Sequence, residues 1–417
     1  MGRPAHRATT ASIQALYPFM AGKGLGSQAI YIGQEWQGGA FCYDPWKLYP
    51  NHLTNPNILV AGQIGRGKSS FVKSVIWRSS VFGSRAAVLD PKGEYHSLAA
   101  AMGVEPIKLQ PGGGLRLNPL DAGPGAVELG PDKVHRRRMS LLQSISCAAL
   151  KRDLRPIERA ACRIALESVT TGEAVPTLPA VADALMNPSC AAAAAIRTTP
   201  DELARASHDV ALELRRLCDG DLAGMFDGQT TVEVDWDGPL VVLDLSEMPD
   251  DEGLAILMAC ATAWIQAAVV RPGAGHRFIV LDEAWRMLNH LGTARWLRTS
   301  VKLARQCGVS NVIVIHRLSD LLAAGDADSE QVQLAKGLLS DTETRVIYGQ
   351  AQGEIGATAE LLGLSQSDRA RLPTLDRGEA IWKVGRSTHL VEHRLGRLEE
   401  GIVDTDAGMG PAEKGVA

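Results

Sequence analysis

GQIGRGKS, residues 62–69, stands between the apolar run ILVA (58–61) and a helix expected from about Lys68 to Ser80. It fits G-x(4)-G-K-[ST] at a strand-to-helix junction, the setting in which a loop cradles phosphate. Glycines let backbone N–H groups turn inward around phosphate oxygens, and the following helix N-terminus adds partial positive charge. Gly62, Gln63, Ile64, Gly65, Arg66, Gly67, Lys68, Ser69 and Ser70 are therefore the candidate nucleotide-binding residues, with ATP as the ligand. In this reading Lys68 bridges the β- and γ-phosphates as a mobile point charge, and Ser69 ligates Mg²⁺.

Three further strand ends carry chemistry-bearing residues. RFIVLDEAW (277–285) is an apolar strand closing on two acids. The first, Asp282, suits a magnesium ion held through water, and the second, Glu283, suits orienting and polarising an attacking water. A bare strand ending in Asp-Glu could equally cap the next helix, since acids favour helix N-termini. NVIVIHR (311–317) ends one crossover later, which places His316 where it can sense a γ-phosphate; a structural histidine is the competing reading. In VLDPKGEYH (88–96), a buried strand runs into Asp90 and turns at once on Pro91 and Gly93. The carboxyl ends of parallel strands face the ligand crevice. Asp90 and Glu94 then lie at the nucleotide edge, where an acid can adjust the magnesium water shell, with Lys92 balancing charge or reaching a neighbour. A plain solvated turn is the alternative.

The rest of the 417-residue chain supplies context. Hydrophobic content of 45% with 22% charged residues is that of a soluble globular protein. A net charge of −4 gives no overall basic footprint for nucleic acid, and His135-Arg136-Arg137-Arg138 reads as a solvated helix face. The seven cysteines show no CxxC and read as reduced core residues. No secretory signal run opens the chain. GLAILMACATAWIQAAVV (253–270) contains Thr262 and Gln266 between two strand patterns and reads as a buried crossover helix. Trp264, Trp285 and Trp296 fall at helical positions and read as core.

AIYIG and AFCYD suggest a hairpin; ILVA, RAAVLD, PIKLQ, TVEVD, LVVLDL, RFIVLD, NVIVI and TRVIYG suggest strands; EAIWKVG and STHLVEH suggest a closing hairpin. Strands alternating with helices predict an α/β fold with a mostly parallel sheet. Between 131 and 225 strand-like runs vanish and apolar positions recur at helical spacing, so an all-helical insertion interrupts one core formed by 28–130 and 226–396. Residues 1–27 read as an irregular N-terminal segment and 397–417 as a disordered tail.

Taken together, NPNILVAGQIGRGKSS, VLDPKGEY, LRLNPL, LAGMFDG followed by LVVLDLSEM, and RFIVLDEAW resemble, in that order, the VirB-type conjugation ATPases. Those are cytoplasmic motors of type IV secretion systems, within the HerA–FtsK group of hexameric P-loop pumps. The resemblance spans about residues 15 to 395, and ARQCGVSNVIVIHRLSDL is similar to a stretch of actinobacterial members. It implies a RecA-like core, ATP hydrolysis with Mg²⁺, and a homo-hexamer with sites between subunits. It also implies membrane-embedded secretion subunits as partners and a cytoplasmic position at the inner face of the membrane. DNA is a further partner implied by the wider group. By motif, Lys68, Ser69, Asp282 and Glu283 take the Walker roles, and His316 stands where the family usually has Gln. Arg305 matches the arginine supplied to the neighbouring subunit's phosphates, with Arg345 as second choice. Typical members carry a large N-terminal domain before the motor, whereas here the P-loop begins at Gly62; docking through such a domain would then fall to another subunit.

Overall fold

The computed structural model describes residues 25, 29–36, 38–124, 126–170, 175–248, 251–269, 275–304, 308–316 and 329–403. Their strands form one eleven-stranded sheet in the order β2-β1-β11-β10-β9-β3-β8-β7-β4-β6-β5. The chain-order ranges are β1 Ile30–Glu35, β2 Ala40–Tyr43, β3 Ile58–Ala61, β4 Arg85–Asp90, β5 Ile107–Lys108 and β6 Leu240–Asp244. They continue with β7 Arg277–Leu281, β8 Val309–Ile315, β9 Thr344–Tyr348, β10 Glu379–Val384 and β11 Ser387–His393. From β9 through β3, β8, β7, β4 and β6 to β5 every pairing is parallel. The two hairpins, β1–β2 and β10–β11, extend it antiparallel on the other side. The expected RecA-like α/β core with a mostly parallel sheet is the fold observed.

The parallel strands are apolar runs because helices cover both faces. Leu59 and Ala61 of β3 point into one core cluster, and Ile58 and Val60 into the other, following the period of two. The helix Asp251–Val269 makes the crossover from β6 to β7, and 253–269 are buried throughout. Among the described residues no helix is long and apolar enough to cross a membrane.

Between β5 and β6 the chain is helical: Pro131–Leu150, Pro156–Thr170, Leu178–Met186, Cys190–Ala195 and Pro200–Arg216. Thr199 and Glu202 close a capping box at the last of these, satisfying two donors that a helix start leaves orphaned. LRLNPL and LAGMFDG are the seam at which this block joins the core. Leu117 N–H donates to Met225 O (2.7 Å), Arg116 pairs with Asp227 (2.7 Å), and the buried Asn118 amide donates to Pro176 O and Gln229 Oε1. Gly224 takes φ +81° with the backbone of Gly113 against it, which leaves no room for a Cβ. The basic cluster belongs to this seam as well. Arg137 donates to the carbonyls of Asp121 and Ala122, and Arg138 to that of Leu120. Burial pushes Arg137 down to about 10. These two are tethers between helix and core, not the solvated face expected from their spacing.

Other differences have simple causes. TVEVD (231–235) alternates exposed and half-buried positions, yet Thr231 alone is bonded across, to Arg116 and Gly114, so no ladder forms. At the tail, Arg397–Val403 is a helix packed on the helix Lys68–Ser80, so disorder does not begin at 397. The residues after 403 lie outside the described ones.

Candidate nucleotide-hydrolysis site

The loop after β3 turns through Gly62, Gly65 (φ +78°) and Gly67 (φ +103°) into the helix Lys68–Ser80. Gly62 is required by close approach: a Cβ there would lie 2.5 Å from Tyr348 Cβ on β9. The loop is anchored on the same side by three bonds. Gln63 N–H donates to Gly349 O, Gly378 N–H to Arg66 O, and Arg66 Nη1 to Leu375 O (3.1 Å). Ile64 and Gly65 form the exposed crest. Lys68 is buried with Nζ donating to the carbonyls of Gly62 (2.5 Å) and Gln63 (2.9 Å), so its ammonium is folded back onto the loop. Burial pulls it down to about 8 against the pull of Asp282. Ser69 is half-buried at the helix start, whereas Ser70 faces away, its hydroxyl donating to Val403 O.

Strand order decides what lies opposite. β8 is the neighbour of β3, β7 the neighbour of β8, and β4 the neighbour of β7. The ends of these four strands therefore bring together Lys68, His316, Asp282 with Glu283, and Lys92. Asp282 and Glu283 are both buried. Burial, reinforced by Glu283 and Glu94, pushes Asp282 up to about 7. A buried carboxylate raised in this way suits a divalent cation held by one carboxylate, a hydroxyl and phosphate oxygens, the way magnesium is bound in such sites. Ser69 and Asp282 are the donors that fit it.

Glu283 sits at φ +54°, a left-handed conformation costing about 1–2 kcal/mol in a residue with a Cβ. Three side chains hold it there: His316 through Nε2, Lys92 through Nζ, and the Trp285 indole N–H. Burial alone would raise its carboxyl; His316 and Lys92 outweigh it and hold the group down at about 2. Lys92 Nζ also lies 2.9 Å from His316 Nε2. The turn of β4 makes this reach possible, and Asp90 makes the turn. Its carboxylate accepts from the N–H groups of Lys92, Glu94 and Tyr95 (2.8 Å for the last). Asp90 is thus consumed as a turn-builder, while Glu94 is half-buried close enough to Asp282 and Lys68 to act on both charges.

Trp285 is the member that sequence reasoning placed elsewhere, in the core, whereas Lys92 reaches a neighbour, one of the two roles expected of it. Trp285 follows the acid pair on a short helix start, and its indole N–H is spent on Glu283; Trp264 and Trp296 are buried as expected. Arg345 does not stand free for another subunit. Its guanidinium donates to the carbonyls of Leu339, Thr342 and Leu362, closing helix ends. Arg305 lies outside the described residues.

Solved structures share this architecture. VirB4 of Thermoanaerobacter pseudethanolicus superimposes with a TM-score of 0.69 at 22% identity, covering 90% of this chain and 99% of that one. The chain has the VirB4 fold. The plasmid coupling protein TrwB in complex with ADP and Mg²⁺ gives 0.60 at 13% identity, over 95% and 97% of the two chains. TrwB with a non-hydrolysable ATP analogue gives the same score at 14%. No protein-family model and no curated protein sequence matches. In this sheet the P-loop follows β3 and the acid pair follows β7, with one strand between them, β8, whose end leads into His316.

Proposed function

We propose that the chain hydrolyses ATP with Mg²⁺ and that turnover powers a conjugative transfer or type IV secretion-like machine. The observation that carries the reading is the convergence of Lys68 with the buried pair Asp282 and Glu283 at one edge of the sheet. Magnesium, when bound, would neutralise phosphate charge. The chain's own residues do the rest. The P-loop backbone and Lys68 take the phosphates, Ser69 and Asp282 hold the ion, and Glu283 orients water. His316 joins Glu283 to the end of β8, so the γ-phosphate position and the base are read by one side chain. Assembly as a homo-hexamer at the inner face of the membrane, on membrane-embedded subunits, with Arg305 reaching the next site, completes the proposal.

The likeness to a conjugative coupling protein also supports a DNA-translocating ring. One experiment tests both readings: steady-state ATP turnover of the purified chain with and without double-stranded DNA, Lys68→Ala being the blank. Turnover above the blank supports the hydrolase, strong stimulation by DNA selects the translocase, and wild-type turnover equal to the blank, with DNA present or absent, removes both.

A further inference from the structure

Lys92 has an unusual position for a turn residue. It leaves the end of β4, passes the end of β7, and places Nζ between Glu283, just past β7, and His316, just past β8. β8 is the strand beside the P-loop strand, so the ammonium stands on the side of the acid pair that faces the phosphate loop. It is close enough to Lys68 for the two cations to disfavour each other. Lys68 is folded onto loop carbonyls, and Lys92 occupies the carboxylate that would work on water. A carboxylate engaged by Lys92, His316 and Trp285 has three of its roughly four acceptor sites taken and its charge paired, so it is poorly placed to act as a base on water.

We propose that Lys92 is a positioning residue that holds Glu283 inactive and transfers its contact to the terminal phosphate of an arriving nucleoside triphosphate. The exchange is one ion pair for another and moves no covalent bond. Glu283 is then freed only when a triphosphate is present; a diphosphate, ending one phosphate short, leaves the latch shut. Lys92 is suited to the exchange because its side chain remains a third exposed, so it can swing without unpacking the core. Its backbone stays fixed by Asp90. The inference rests on the nucleotide-binding reading above and adds to it how the site tells ATP from ADP.

The test is equilibrium binding of a non-hydrolysable ATP analogue and of ADP, both with Mg²⁺, to the full chain. Wild type, Lys92→Met, Lys92→Arg, Glu283→Gln and the Lys92→Met/Glu283→Gln double variant are compared. Lys92→Met should weaken the triphosphate roughly tenfold and leave ADP within twofold, since a charge-assisted contact to phosphate is lost only there. Lys92→Arg should recover most of the loss. Glu283→Gln should tighten the triphosphate roughly threefold by releasing Lys92, and that gain should vanish in the double variant, as coupling through one pair requires. Equal weakening of both nucleotides by Lys92→Met, or no change in either, would overturn the latch while leaving nucleotide binding intact. A Glu283→Gln gain that persists without Lys92 would also overturn it, because the carboxylate would then act on phosphate directly. Wild type that binds neither nucleotide would overturn the latch together with the hydrolase reading.

Discussion

His393, the last residue of β11, offers a test of how the P-loop helix is seated. Its ring meets Phe71 of that helix edge-on at 5.6 Å, and Nε2 is sealed from water with no hydrogen-bond partner. Burial, helped by nearby Arg78, depresses its pKa from 6.5 to about 4. Because the folded-state value is depressed, the associated stability is present above the unfolded value and is lost as pH falls. Between pH 6.5 and 4 the unfolded chain takes a proton that the folded chain refuses. The gap is worth up to about 3 kcal/mol, and because the ring is only half-buried we take about 2 as the working figure. His393→Phe keeps an aromatic ring against Phe71 and removes the titration. Urea unfolding of the two proteins at several pH values reads the difference. For a slope of a few kcal/mol per molar, the wild-type midpoint should fall relative to the variant by roughly 0.5 M between pH 6.5 and 4. Carboxylates such as Glu399, also depressed, lose stability at the acid end in both proteins and cancel. Parallel pH curves would refute the argument, since they would mean that His393 protonates alike in both states.

Other consequences are as direct. Glu283→Gln should slow ATP turnover by about 100-fold or more while nucleotide binding survives, the loss expected for a general base, measured by turnover beside binding. Gly62→Ala should displace the P-loop from Tyr348, costing about 1–3 kcal/mol in stability and weakening nucleotide binding, read by thermal unfolding and titration. Asn118→Ala removes the amide that binds Pro176 O and Gln229 Oε1 and leaves Leu120 N–H without its acceptor. A loss of about 2–3 kcal/mol is expected, with earlier proteolysis in the 131–225 block than elsewhere. Glu399→Ala strips the bidentate partner from Arg78 and should lower stability by about 2 kcal/mol, with the tail helix first to be cleaved.

How much of this was legible in the sequence follows from the range of the forces involved. The P-loop and the acid pair could be read because their chemistry is local: a turn needs its glycines, and a strand ending in acids shows them in consecutive positions. The crossover helix 253–269 could be read from Thr262 and Gln266, which a membrane span disfavours and a protein core can satisfy; Thr262 donates to Met258 O. The basic cluster and the tail could not. Arg137 and Arg138 serve carbonyls at 120–122. The tail helix is held by Glu399 on Arg78, more than 300 residues back, and no window on the tail contains that partner. TVEVD shows the reverse failure: its alternation is real, but alternation reports burial of one side and not a ladder partner.

Asp90 and Lys92 show why site residues are harder to assign than site motifs. Both sit in DPKGEY, and both belong near a nucleotide by strand order alone. Their roles differ because of where the side chains go. A carboxylate directly after a strand can reach the N–H groups of the next turn, and Asp90 takes three of them, so its charge is used before any ligand comes. Lysine has no acceptor and a long stem, so Lys92 must find an anion outside the turn. The nearest is Glu283, two strands' ends converging because β4 lies beside β7. The order of strands, which pairs residues almost 200 positions apart, thus decides that the lysine of the motif touches the buried Glu283 while its aspartate builds the turn that supports it.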